Sequence, residues 1–385
     1  MNKSNFSQIV FLFLALIAAT AQVRADYTWT RAVDELNTDY TNTTYWTGTN
    51  GQVFVSGPTV NVSRGNTISI GKTFNLGAAN TTTNLNINGI LNLTAARPVA
   101  GIGDNCVNVI NVNGMFTANA NNFCFGENAK TKTTLNLNPG GTFTMSGLVG
   151  SSGQATINIS DNSYMFFKEK ALLGWRGAKT TYSYMGIVNQ TGGSATAMGT
   201  TGSAWTSISG LATSCSWGDE QANASMPAGQ YILSGGTFST LRFGSNDKYD
   251  EANFSGNTTT YTNSDRLGIY SDLGISQAQA DSKCFIITGG QANIVSVSNI
   301  TADDSALFGT LSVPTLFTGG TLNVLKIDAS RMRDDTFVQD GGLLSPSGGT
   351  WASNRLTVAQ NGISSTSFRI SNSSVSDLSS STAFS

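Results

Sequence analysis

Three carboxylates close together, Asp247, Asp250 and Glu251, are the residues of this chain best placed to do chemistry, with Asp303 and Asp304 a second pair. Two carboxyl groups facing each other across a sugar hydrolyse a glycosidic bond, one as acid and the other as base or nucleophile. Carboxylates holding Ca²⁺ beside an Arg or Lys base would instead support lyase chemistry. Tyr249 stands in the same stretch, and Trp175, Trp205 and Trp217 precede it. Each offers a flat apolar face on which a sugar ring can stack. These seven side chains are the candidate carbohydrate contacts. The competing expectation is plain: acids in polar stretches are solvated loop residues, and aromatic rings pack beneath loops.

The rest of the catalytic repertoire is missing. The chain has no histidine, which excludes Ser-His-Asp and Cys-His nucleophile systems. No phosphate-cradling glycine loop of the Walker or dinucleotide-binding kind occurs. Four cysteines without a C-x-x-C pair, and without histidine, do not make a zinc site. The expectation is a protein with no catalytic residues, no cofactor and no metal. Nucleic acid is not an expected partner either, because the formal net charge is -2 and no basic run occurs.

Any such residues must be carried by the repeat that dominates the chain. A few alternating apolar residues, a glycine corner and further alternating residues recur as LNINGILNL from Leu85, INVNGMFTA from Ile110 and LNLNPGGTFTM from Leu135. INISDNSYMFF from Ile157 puts Ser163 at the corner. Later copies, including YILSGGTFST from Tyr231, FIITGGQANI from Phe285 and LFTGGTLNV from Leu316, turn on Gly-Gly. Residues two apart in a strand share a face. The slots after the corner, Leu91/Leu93, Phe116/Ala118, Phe143/Met145, Met165/Phe167 and Leu322/Val324, therefore form one apolar, stackable face. Asn84, Asn86, Asn111, Asn113 and Asn136 fall on the opposite, polar face. Asn-Gly and Gly-Gly suggest corners built on positive φ.

A second corner, an apolar residue followed by glycine, recurs as Leu76-Gly77, Phe125-Gly126, Val149-Gly150, Leu173-Gly174 and Phe243-Gly244. Two corners with short strands between them make one coil of a solenoid, whose inward face is buried only against neighbouring coils. An antiparallel sandwich shares the short strands but has no reason to repeat one corner in one register. The fold class expected is all-β: a single-stranded, right-handed parallel β-helix with polar loop insertions.

Only 11% of residues are charged, against about 25% in ordinary soluble domains. The first 25 residues read as a secretory signal peptide: Lys3, an apolar run from Ile9 to Ala19, then small-residue cleavage sites ending at Ala21 or Ala25. Residues 26–55 are expected to cap the coil, and 56–351 to form the solenoid with insertions near 200–230 and 246–281. Residues 352–385 read as a polar end. No later segment has the length and apolarity of a membrane-spanning helix. Export permits disulfides. The candidates are Cys106, Cys124, Cys215 and Cys284, with Cys106–Cys124, about one coil apart, the preferred pair among three connectivities.

The Gly-Gly-Thr copies (LSGGTFSTL, LFTGGTLNVL, FVQDGGLLSPSGGT) resemble the strand repeats of bacterial autotransporter passengers and related secreted β-strand-repeat proteins. The resemblance implies a β-solenoid acting at the cell surface. Neither the strand series of an outer-membrane barrel nor a sorting anchor is expected from the residues that follow the repeats. The expected function is that of a secreted structural or adhesive protein of the cell surface or matrix. Its expected partners are further copies of itself or other surface proteins. The alternative is a polysaccharide-binding or polysaccharide-cleaving β-helix.

Overall fold

The computed structural model describes residues 27–29, 46–47, 59–70, 75–77, 79–93, 99–100, 105–118, 122–125, 131–145, 148–151, 154–167, 170–173, 185–197, 210–213, 229–244, 264–280, 283–294, 308–313, 315–324, 326–327, 337–339, 343–346, 356–358 and 367–368. Nearly all of this is strand, gathered into three sheets of 13, 11 and 9 strands, here called sheets I, II and III. From Thr59 to Ile327 each coil gives one strand to each sheet in turn. Thr82–Ile87, Ile90–Leu93 and Val99–Ala100 make one coil, and Val107–Val112, Met115–Ala118 and Asn122–Phe125 make the next. Every pairing from Thr59 onward is parallel, so the chain is a parallel β-helix.

The core runs along the axis in columns. Leu85, Ile110, Leu135, Ile157, Val188, Tyr231 and Phe285 stack in register through sheet I, all buried. Sheet II contributes Ile68, Leu91, Phe116, Phe143, Met165, Ala195, Phe238, Ala292 and Leu322 in one column. The slots read from the alternation are thus the inward ones. Small and large residues interleave: Ala195 and Ala292 flank Phe238, whose ring lies 4.3 Å from that of Tyr231. That alternation lets neighbouring coils interdigitate at close-packed density.

The corner between sheets I and II comes in two kinds. At Gly193, Gly236, Gly290 and Gly320 φ is positive, between +61° and +83°. At Gly89, Gly114 and Gly141, where the sequence also suggested positive φ, it is not. Their requirement is space: a Cβ on Gly114 would overlap the carbonyl oxygen of Gly89, one coil below. The coil spacing of roughly 4.8 Å leaves no room for it. The backbone ladder passes through the bend, with Met115 N–H donating to Gly89 O (2.9 Å) and Thr142 N–H to Gly114 O (2.8 Å).

Three features depart from expectation. The apolar-glycine "second corner" is a third strand: Asn75–Leu76, Asn122–Phe125, Leu148–Ser151, Lys170–Leu173 and Arg242–Gly244 all belong to sheet III. The insertion near 246–281 contains two helices, Ser264–Asp272 (α1) and Gln277–Ala280 (α2). Coiling also continues past Trp351, since Leu356–Val358 and Ser367–Phe368 extend sheets I and II. At the other end Tyr27–Trp29 pairs parallel with Thr59–Val62, and Trp46–Thr47 pairs antiparallel with it. No helix among the described residues is long and apolar enough to cross a membrane.

Candidate functional surfaces

On the outer face of sheet I, the central column is asparagine for six coils. Asn61, Asn86, Asn111, Asn136, Asn158 and Asn189 each sit over the last. Each Nδ2 donates to the Oδ1 one coil below, at 2.8–2.9 Å for the first four links and 3.5 Å at Asn189. A second, exposed ladder, Asn88–Asn113–Asn138, runs beside it at 2.8 Å per link. The self-match arises because an amide both donates and accepts, so identical residues stacked in register bond one another. A carboxylate column would place like charges opposite each other, which destabilises. Accordingly, none of the 23 Asp and Glu residues lies in a described strand.

The same column then changes character. Beyond Asn189 it reads Ile232, Ile286, Leu316 and Val338, all buried although they point away from the core. Helices α1 and α2 cover this stripe with Tyr270 and Ala280, joined by the partly buried Ile269, Leu273 and Ile275. Gln230 fastens the cover. Its Nε2 donates to Lys283 O (2.8 Å) and Ala280 O (3.2 Å), and its Oε1 accepts from Tyr270 Oη–H (2.7 Å).

Inside the coil, Gln190 takes an inward slot otherwise filled by Ile159 and Leu233. It is satisfied there: Nε2 donates to Thr237 O (3.0 Å) and Gly192 O (3.1 Å), while Oε1 accepts from Tyr231 Oη–H. Burial pushes the Tyr231 phenol well above its ordinary 10.0, so it stays neutral. This pair is a structural anchor of the core.

Sheet II has a different outer face. Not one of its eleven strands carries a charged residue. Most outward positions are Thr, Ser or Asn, interrupted by Ile90, Met115, Tyr164 and Phe166. Tyr164 and Phe166 are two apart on one strand, with ring planes 9° from parallel and centroids 6.3 Å apart. Met115 and Tyr164 are 42% and 40% exposed, the largest exposures of any described bulky apolar side chain. The sequence already held this signal, because placing Met165 and Phe167 inward turns Tyr164 and Phe166 outward.

Of the carbohydrate contacts expected from sequence, Trp175, Trp205, Trp217, Asp247, Tyr249, Asp250 and Glu251 all lie outside the described residues, as does Cys215. The preferred Cys106–Cys124 pairing is not present. Cys106 is a buried thiol beside Asn108, whose Nδ2 lies 3.4 Å from its Sγ. Cys124 belongs to a sheet III strand, level with Val99 and Gly150. Cys284, by contrast, is disulfide-bonded at the buried start of its coil. No cluster of potential metal ligands occurs among the described residues.

No protein-family model matches this chain, and no curated protein or solved structure is significantly similar to it.

Proposed function

We propose that this is an extracellular structural or adhesive β-solenoid, exported by its N-terminal leader and associating with copies of itself at the cell surface or in a matrix, without catalytic activity. One observation carries the reading: the central outer column of sheet I from Asn61 to Asn189 and most outward positions of sheet II are neutral amides and hydroxyls, many bonded to one another along the axis. Neutral side faces do not repel, so rods of this composition approach closely. Along the asparagine-bearing coils the backbone and side chains offer the same contact at successive turns.

The test is the state of the secreted protein, from Asp26 onward, by light scattering and negative-stain electron microscopy. Filaments, sheets or concentration-dependent oligomers are expected. Rods that remain monomeric up to high micromolar concentration would remove self-association from the proposal.

A further inference from the structure

We propose that the outer face of sheet II binds an uncharged polysaccharide, with Tyr164 and Phe166 as its stacking site. The inference needs an extracellular setting in which a glycan is met, but it does not depend on self-association.

Ligand class follows from what the face lacks and what it offers. A surface without a single charged side chain cannot match a phosphate backbone, a uronate polymer or a strongly charged protein patch. It does suit a ligand that is neutral yet rich in hydroxyls. Such a ligand needs an apolar surface for its C–H faces and polar partners for its rim, and both are here in register. Thr142 and Thr144 lie one coil before the ring pair, and Ser194 and Thr196 one coil after it. An exposed tyrosine ring beside a half-buried phenylalanine is out of keeping with the adjoining coils of this face. Outward slots at the neighbouring coils are filled by Thr and Ser, which serve strand formation without leaving apolar area in water. Aromatic faces contribute binding area at low entropic cost, and the few flanking hydroxyls fix orientation. Met115 lies in the same column as Tyr164 two coils earlier, with Thr142 between them, and offers a second exposed apolar contact along the axis.

The geometry predicts a readily made variant. Tyr164→Thr with Phe166→Thr makes this coil resemble the one before it, with Thr142 and Thr144, and keeps a good strand former at both positions. The secreted wild-type and double-variant proteins are compared by depletion on microcrystalline cellulose and chitin and by affinity electrophoresis in a soluble neutral β-glucan, with polygalacturonate as the charged counterpart. Circular dichroism and the thermal midpoint establish that both are folded alike. Wild-type binding to at least one neutral polymer, at least tenfold weaker in the double variant and restored by Tyr164→Trp with native Phe166, is the expected result. Neutral-glycan binding that the double variant retains would place the ligand elsewhere and overturn the assignment. Binding to none of the neutral polymers, or preference for polygalacturonate, would overturn it as well. Loss of oligomers rather than of glycan binding in the double variant would assign the ring pair to a second copy of the chain instead.

Discussion

At Gly114 the constraint is a carbonyl oxygen, and at Gly140 it is a dihedral angle. A Cβ at Gly114 would meet the Gly89 carbonyl of the preceding coil, which cannot yield without breaking the ladder. Gly140 has φ +88° and open space for 4 Å around the position a Cβ would take, so only left-handed strain opposes a side chain. Gly140→Ala should therefore cost about 1–2 kcal/mol, whereas Gly114→Ala should cost roughly 3 kcal/mol. Chemical denaturation of the two variants checks the order. Asn111→Asp removes the donor that serves Asn86 while leaving the acceptor that serves Asn136. The expected loss is about 1–3 kcal/mol at neutral pH. Protonation restores a donor, so the folded state raises this carboxyl's pKa. The deficit should shrink as pH falls toward about 4, the ordinary Asp value, and return as pH rises through the raised folded pKa. Tyr231 carries the same sign. Its raised folded pKa means that the stability it contributes is complete below its ordinary 10.0 and is lost as pH climbs beyond. Tyr231→Phe should be less stable by about 1–3 kcal/mol at pH 7, since Gln190 Oε1 loses its donor. The gap to wild type should narrow above pH 10, as measured by denaturation across alkaline pH.

Among the elements, the outward column of sheet I shows how one position wants opposite residues in different coils. Asparagine fits at Asn189, where a ladder neighbour and solvent satisfy it, and isoleucine fits at Ile286, where the helical cover seals it. Ile286→Asn would bury an amide under α1 and α2 and is expected to cost about 3 kcal/mol. Faster proteolysis within 264–280 should accompany the loss of stability. Alternation and corner glycines made sheets I and II legible from sequence, because inward slots such as Phe116 and Phe143 differ in kind from their neighbours. Sheet III was less visible: strands such as Val99–Ala100 and Asn75–Leu76 are too short to alternate. The helices hid for a related reason. Ser264–Asp272 holds Gly268 and only a small apolar stripe, and its stability comes from docking on Ile232 and Ile286 rather than from propensity. The asparagine ladder needs the coil length as well as the alternation, since its partners are 22 to 31 residues apart. The ring pair on sheet II, by contrast, could be placed from the strand alone. The acids and tryptophans that suggest sugar chemistry lie outside the described residues.

For the molecule as a whole, the division of labour is between a regular ladder and connections of any length. The coil from Val188 to Tyr231 and the one from Tyr231 to Phe285 both carry long excursions, yet the strands on either side remain in register. Stability then resides in neighbouring coils rather than in one central nucleus. Where the coils are 25 residues long, a cut made within the strands can lose or gain length only in whole turns. Excising 89–113 would join Asn88 to Gly114, recreate an Asn-Gly corner and set Asn86 beneath Asn136. The shortened protein should still be secreted and unfold cooperatively, whereas excising one residue fewer should abolish secretion, because the side chains beyond the join would exchange faces. Recombination between copies of the repeat would thus be tolerated only in phase, making the turn, not the residue, the unit in which this chain's length evolves.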